Sequence, residues 1–163
     1  MPSYSLIIPN IFIGNVHSVI GNYGMKDPPI LEDENIKVVI SALTNEEYED
    51  YEITKDDFPN IEWYPFTVDD DEKERILIYF FEVHKRINQA LKEKKTVMVH
   101  CAAGVSRSST LVLAYLMIEY RWSYEEAYTF VKSRRPIIQP NDGFVKQLKA
   151  LEFKLKRYTK MFK

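Results

Sequence analysis

The chain has 163 residues, 45% of them apolar and 28% charged, with a net charge of −2. That is the size and composition of one soluble domain, spanning 1–163, which can bury a core without a covalent staple. Its single cysteine, Cys101, excludes an intrachain disulfide and a cysteine-based metal cluster, and no apolar run approaches the ~20 residues of a membrane span.

In chain order, residues 6–14 read as a strand pair broken at Pro9-Asn10, and 22–29, rich in Gly, Asn, Asp and Pro, as a loop. Residues 36–42 (IKVVISA) form a buried strand by their β-branched apolar run. The acidic stretch 45–57 is expected to be an exposed loop, with Tyr48 and Tyr51 as plain surface tyrosines, and 61–68 another strand. Ile76, Phe80, Val83, Ile87 and Leu91 recur at helical spacing and predict a helix over 72–92. Residues 96–100 (TVMVH) are a short strand and 108–120 a buried helix. Ser123 with Glu126 is a capping box opening a helix to about Arg134, stopped by Pro136. Asn141 or Asp142 caps a last helix with Phe144, Leu148, Leu151 and Leu155 on one face. Strands alternating with helices predict an α/β fold with a central mixed sheet flanked by helices, whose ligands bind beyond the carboxyl ends of strands.

Charge is unevenly spread. Residues 27–75 hold 17 Asp/Glu against 4 Lys/Arg, whereas 132–163 hold 10 Lys/Arg against 2 Asp/Glu. Solvated faces account for this; a basic rim that draws in an anionic substrate is the functional alternative. The slightly acidic whole argues against a nucleic-acid partner. The lone thiol and the lack of a leader at the N-terminus point to an intracellular setting, cytoplasmic or nuclear.

The chemistry concentrates in His100-Cys101-Ala102-Ala103-Gly104-Val105-Ser106-Arg107-Ser108, where a strand gives way to a helix. Such a loop aims backbone N–H groups and the helix dipole into one hollow suited to an anion. Five residues between Cys101 and Arg107 suffice to wrap a tetrahedral oxyanion, Gly104 allows an unusual backbone angle, and Ala102 and Ala103 keep the hollow open. Arg107 offers planar paired donors to two phosphate oxygens. The same field favours the thiolate of Cys101, a nucleophile toward phosphorus, with Ser108 placed to donate to the sulfur. His100 is expected to order the loop rather than act as a base. Chance placement of these residues around one cysteine is on the order of 10⁻⁵ from average usage. The residues alone leave open a buried, inert cysteine at a strand end and an anion site without catalysis. The leaving group needs a proton, and Asp69-Asp70-Asp71 after the strand 61–68 is its evident source, one carboxylate capping and another donating.

These residues resemble the cysteine-dependent protein phosphatases, specifically small, single-domain, dual-specificity members, over about residues 5–155. Ala114-Tyr115-Leu116-Met117, Pro140-Asn141-Asp142-Gly143-Phe144 with Gln147-Leu148, and the strand ending Ile13-Gly14-Asn15 are similar to further family segments. The resemblance implies a cysteine-phosphatase-like fold and a two-step, metal-independent reaction without cofactor, acting on phosphorylated protein through a phosphocysteine. It places the phosphate on Ala102 to Arg107, and the acid at Asp70 within Phe66-Thr67-Val68-Asp69-Asp70, with Asp69 and Asp71 as alternatives. It makes Asn141 a brace of the phosphate loop and sets Arg135 near a second phosphate pocket, although a plain cation at a helix C-terminus beside Arg134 is the favoured reading of Arg135. Ala103 and Val105 are not basic, whereas inositide-directed relatives carry lysine in that loop, which makes a lipid substrate the weaker expectation. A catalytically weak phospho-binding module, or a phosphatase acting on RNA 5′ ends, inositides or glycans, are the competing readings.

Overall fold

The structure, a computed structural model, describes residues 2–21 and 29–161; the loop read over 22–29 lies outside them except for Pro29. Asn10 takes a positive φ of 72°, a conformation that asparagine tolerates, so β1 (Tyr4–Ile8) folds back antiparallel on β2 (Ile11–Gly14). β3 (Ile36–Leu43), β4 (Glu62–Thr67) and β5 (Thr96–His100) complete a five-stranded sheet in the order β1-β2-β5-β3-β4. All pairings other than β1 with β2 are parallel, giving the mixed sheet expected. The β-branched runs of β3 and β5 fit because these strands are covered on both faces.

Two apolar clusters do the covering. On one face lie α3 (Phe80–Lys92), α4 (Arg107–Tyr120), α5 (Tyr124–Arg134) and α6 (Asp142–Met161). Every residue from Arg107 to Ile118 is buried, so α4 is enclosed all round. Each Leu, Val or Ile it buries contributes about 1.5–3 kcal/mol. On the other face, Val16 and Val19 of α1 (Val16–Ile20) pack with Val39, Leu43, Ile53, Phe58 and Met98.

Two expectations are corrected. The acidic stretch 45–57 is not a loop: it forms α2 (Asn45–Asp50) and a 3₁₀ turn (Lys55–Asp57). Each is opened by a capping box, Thr44 with Glu47 and Thr54 with Asp57. Tyr48, on α2, is half-buried and donates to the carbonyls of Phe66 (2.7 Å) and Ser41 (3.2 Å). The helix predicted over 72–92 begins only at Phe80, after a 3₁₀ turn at Ile76–Tyr79. Its expected first turns are held apart by α6. Gln147 Nε2 donates to the Glu74 carbonyl (2.8 Å), and Leu77 N donates to Gln147 Oε1 (3.0 Å). Gly143 abuts Glu72, whose carbonyl oxygen would lie 2.0 Å from a Cβ built at that glycine.

Candidate active site

Residues 101–106 join the carboxyl end of the central strand β5 to α4, and their shape follows from where the loop's carbonyls go. The Ala102 carbonyl accepts from Val16 N (3.1 Å), that of Gly104 from Arg135 Nε (2.9 Å) and that of Val105 from Gln139 N (2.8 Å). With these oxygens tied outward, the loop's amides are left to face inward. Among the described residues, the N–H groups of 102–106 have no acceptor within the protein. Gly104 supplies the reversal at φ +68°. A Cβ there would come within 2.8 Å of the Gly14 carbonyl and 2.6 Å of Arg135 Nη2. Ser106 braces the far end: its Oγ accepts from Asn141 N at 3.0 Å.

Cys101 lies at the floor, buried, with Ser108 Oγ 3.2 Å from its Sγ. His100 sits behind it, wholly buried. Trp63 Nε1 donates to Ser41 Oγ (2.9 Å), which lies 2.6 Å from His100 Nε2; His100 Nδ1 is 3.3 Å from the Cys101 carbonyl. All four groups are satisfied when Nδ1 carries the proton and Ser41 donates to Nε2. Burial first, and then the Arg107 charge, lower the His100 pKa to about 4, outweighing its bond to the Cys101 carbonyl. The imidazole is therefore neutral at pH 7 and orders the loop through the Ser41 and Cys101 contacts.

Arg107 opens α4 with its guanidinium almost fully buried. Nη1 donates to Glu47 Oε1 (2.5 Å) and to the Val68 carbonyl (3.0 Å), and Nη2 donates to Glu47 Oε2 (3.1 Å). Nε is buried and has no partner among the described residues. Burial works against the Glu47 charge, yet donation from Arg107 and Thr44 holds its carboxyl below the usual carboxylate range. Glu47 carries no mark of the site in the sequence. The T-x-x-E spacing at Thr44 marks it as a capping residue but carries no sign of a partner 60 positions away.

The three aspartates separate. Asp71 Oδ1 accepts from Lys73 N (2.8 Å) and closes a turn, whereas Asp70 Oδ1 accepts from Asn141 Nδ2 (2.9 Å). Asn141 also caps α6, its Oδ1 accepting from Phe144 N (2.9 Å). One residue thus ties the phosphate loop, Asp70 and α6 together. Arg135, read as a cation near a second phosphate pocket or at a helix end, is fully buried, its guanidinium against the back of the loop. The α5 helix ends beside it, and that turn directs the side chain inward.

A family model described as "Dual specificity phosphatase, catalytic domain" matches residues 19–154. The chain belongs to the dual specificity phosphatases. It is 37% identical over 149 residues to dual specificity protein phosphatase 14 of Mus musculus, covering 91% of this chain and 69% of that protein. It is 46% identical over 95 residues to the probable rhodanese domain-containing dual specificity protein phosphatase of Dictyostelium discoideum, covering 58% of this chain but only 20% of that protein. The crystal structure of the human tyrosine phosphatase-like serine/threonine/tyrosine-interacting protein superposes with a TM-score of 0.82 at 29% identity, over 92% of this chain and 95% of that one. The two chains thus share one fold over nearly their whole lengths. Among the described residues no helix is long and apolar enough to cross a membrane.

Proposed function

We propose that this chain hydrolyses phosphotyrosine and phosphoserine or phosphothreonine in proteins through a phosphocysteine intermediate. The observation that carries the reading is Cys101 Sγ at the floor of a loop whose carbonyls are tied outward and whose amides are free, with Ser108 Oγ 3.2 Å away. Inward amides and Arg107 Nε would hold the three non-bridging oxygens of a phosphoryl group. Cys101 Sγ attacks phosphorus, an S–P bond forms, and the P–O bond to the substrate breaks while Asp70 gives its proton to the departing oxygen. Water then attacks phosphorus and passes a proton to Asp70, the S–P bond breaks, and Ser108 O–H donates to the released thiolate. The setting that suits a single thiolate is a reducing one, in the cytoplasm or nucleus.

Purified protein should turn over p-nitrophenyl phosphate in a vanadate-sensitive manner, and Cys101→Ser should abolish turnover while still retaining vanadate. Near wild-type turnover by Cys101→Ser overturns the nucleophile; no turnover by the wild type favours a phospho-binding module. Phosphopeptide, RNA 5′-triphosphate and inositide phosphate assayed side by side separate the substrate classes, with phosphopeptide expected to prevail.

A further inference from the structure

A buried cation is costly unless an anion answers it. Among the described residues two arginines are buried beside the phosphate loop, and only one is answered. Arg107 forms a two-pronged ion pair with Glu47, so its charge is matched within the protein. Arg135 is 0% exposed and ranks first by volume among the fully buried side chains. Its acceptors are all neutral: the Gly104 carbonyl (2.9 Å), the Pro2 carbonyl (3.0 Å) and the Ser5 hydroxyl (3.0 Å). Among the described residues its Nη2 has no partner, and no carboxylate lies within ion-pair distance of it. A guanidinium does not escape this by losing its proton, since it stays charged in proteins. Burial disfavours the Arg135 cation, and a thiolate at Cys101, across the loop, would favour it as it would favour Arg107. Gly104 is what allows the approach, since a Cβ there would lie 2.6 Å from Nη2.

We propose that Arg135 is a positioning residue acting through Gly104 and the loop behind it, and that its unanswered cation adds a second counter-charge, beside Arg107, for the Cys101 thiolate and for the bound phosphoryl group. This rests on the reading of Cys101 as the nucleophile. It also gives the N-terminal segment a part in the site, because Pro2 and Ser5 complete the Arg135 cradle.

The test uses the full chain with Arg135→Gln and Arg135→Lys, and reads iodoacetamide alkylation of Cys101 and orthovanadate binding. Arg135→Gln should slow alkylation at about pH 6 by about tenfold, leave it little changed at about pH 10, where any thiol is ionised, and weaken vanadate binding by about tenfold. Arg135→Lys, which keeps the charge but not the fork, should hold both within about threefold. Wild-type alkylation at about pH 6 by folded Arg135→Gln overturns the proposal, as does an equal loss in Arg135→Lys. If Arg135→Gln does not fold, by circular dichroism, folded Arg135→Lys decides alone: retention supports the counter-charge and loss sinks it. Neither readout needs turnover, so a chain that hydrolyses no phosphoprotein leaves the result interpretable, whereas failure of Cys101→Ser to abolish turnover speaks only to the nucleophile.

Discussion

Glu47 serves two masters: it closes the capping box of α2 and grips Arg107. Glu47→Gln removes the charge while keeping the shape. Arg107 is then left buried with its cation unmatched, so unfolding by urea should show a loss of about 1–3 kcal/mol. The KM for p-nitrophenyl phosphate should rise as the guanidinium loses its fixed pose. His100 gives a prediction with a definite sign. Its pKa is depressed from 6.5 to about 4 in the folded chain, so its full contribution to stability holds above about pH 6.5 and is lost as pH falls toward about 4. The stability gap between wild type and His100→Asn, by urea unfolding, should therefore narrow by about 3 kcal/mol between pH 7 and 4. A gap independent of pH would show that the imidazole is not held neutral. At this scale the motif residues were legible because Cys101, Gly104, Arg107 and Ser108 share one contiguous loop. Glu47, Ser41 and Trp63 were not, since they reach the site from strands and caps far away in the chain. The burial of Arg135 is not legible, because a cation next to Arg134 at a helix end looks the same whether it turns outward or in.

Elements were legible where their apolar period was long. α4, α5 and α6 announced themselves by enclosed or one-sided apolar faces and by the Ser123 cap. α2 did not, because it buries no residue of its own and so carries no period; the T-x-x-E spacing was its only signal. The start of α3 was misplaced for the opposite reason: Ile76 fits the helical period but is buried by α6 from a 3₁₀ turn. The N-terminus of α6 makes the element scale chemically testable. Asn141→Ala removes its cap, at about 1 kcal/mol in thermal or urea unfolding. It also releases Asp70 from Asn141 Nδ2, so turnover of phenyl phosphate, a poor leaving group, should fall more than that of p-nitrophenyl phosphate. In an Asp70→Asn background the same change should add little beyond the cap, because the amide then has no acid to hold. Additive losses would mean that Asn141 acts on the loop alone.

The site belongs to no single element, and that follows from the sheet order. β5 lies between β2 and β3, so its carboxyl end is flanked by α1 from one neighbour and α2 from the other. The alternation of strands and helices made this sheet and its ligand-bearing end readable, but not which distant segments close over it, because the pairings of Glu47, Val68, Gln139 and Asn141 with the loop are set by tertiary packing. Those pairings couple the segments in one network: Val68 and Glu47 through Arg107, Gln139 and Asn141 through Val105 and Ser106. An oxyanion that fixes the loop and Arg107 should therefore slow opening in all of them. Amide hydrogen exchange with and without saturating vanadate should show protection in 44–47, 68–74 and 139–144 as well as 102–109, with 124–134 little changed. At a hundredfold excess over Kd the ligand adds about 2.7 kcal/mol to the folded state, which caps the protection at about a hundredfold. Protection confined to 102–109 would mean that the loop holds its shape without its neighbours, and that the contacts made by Glu47 and Asn141 are packing without consequence for binding.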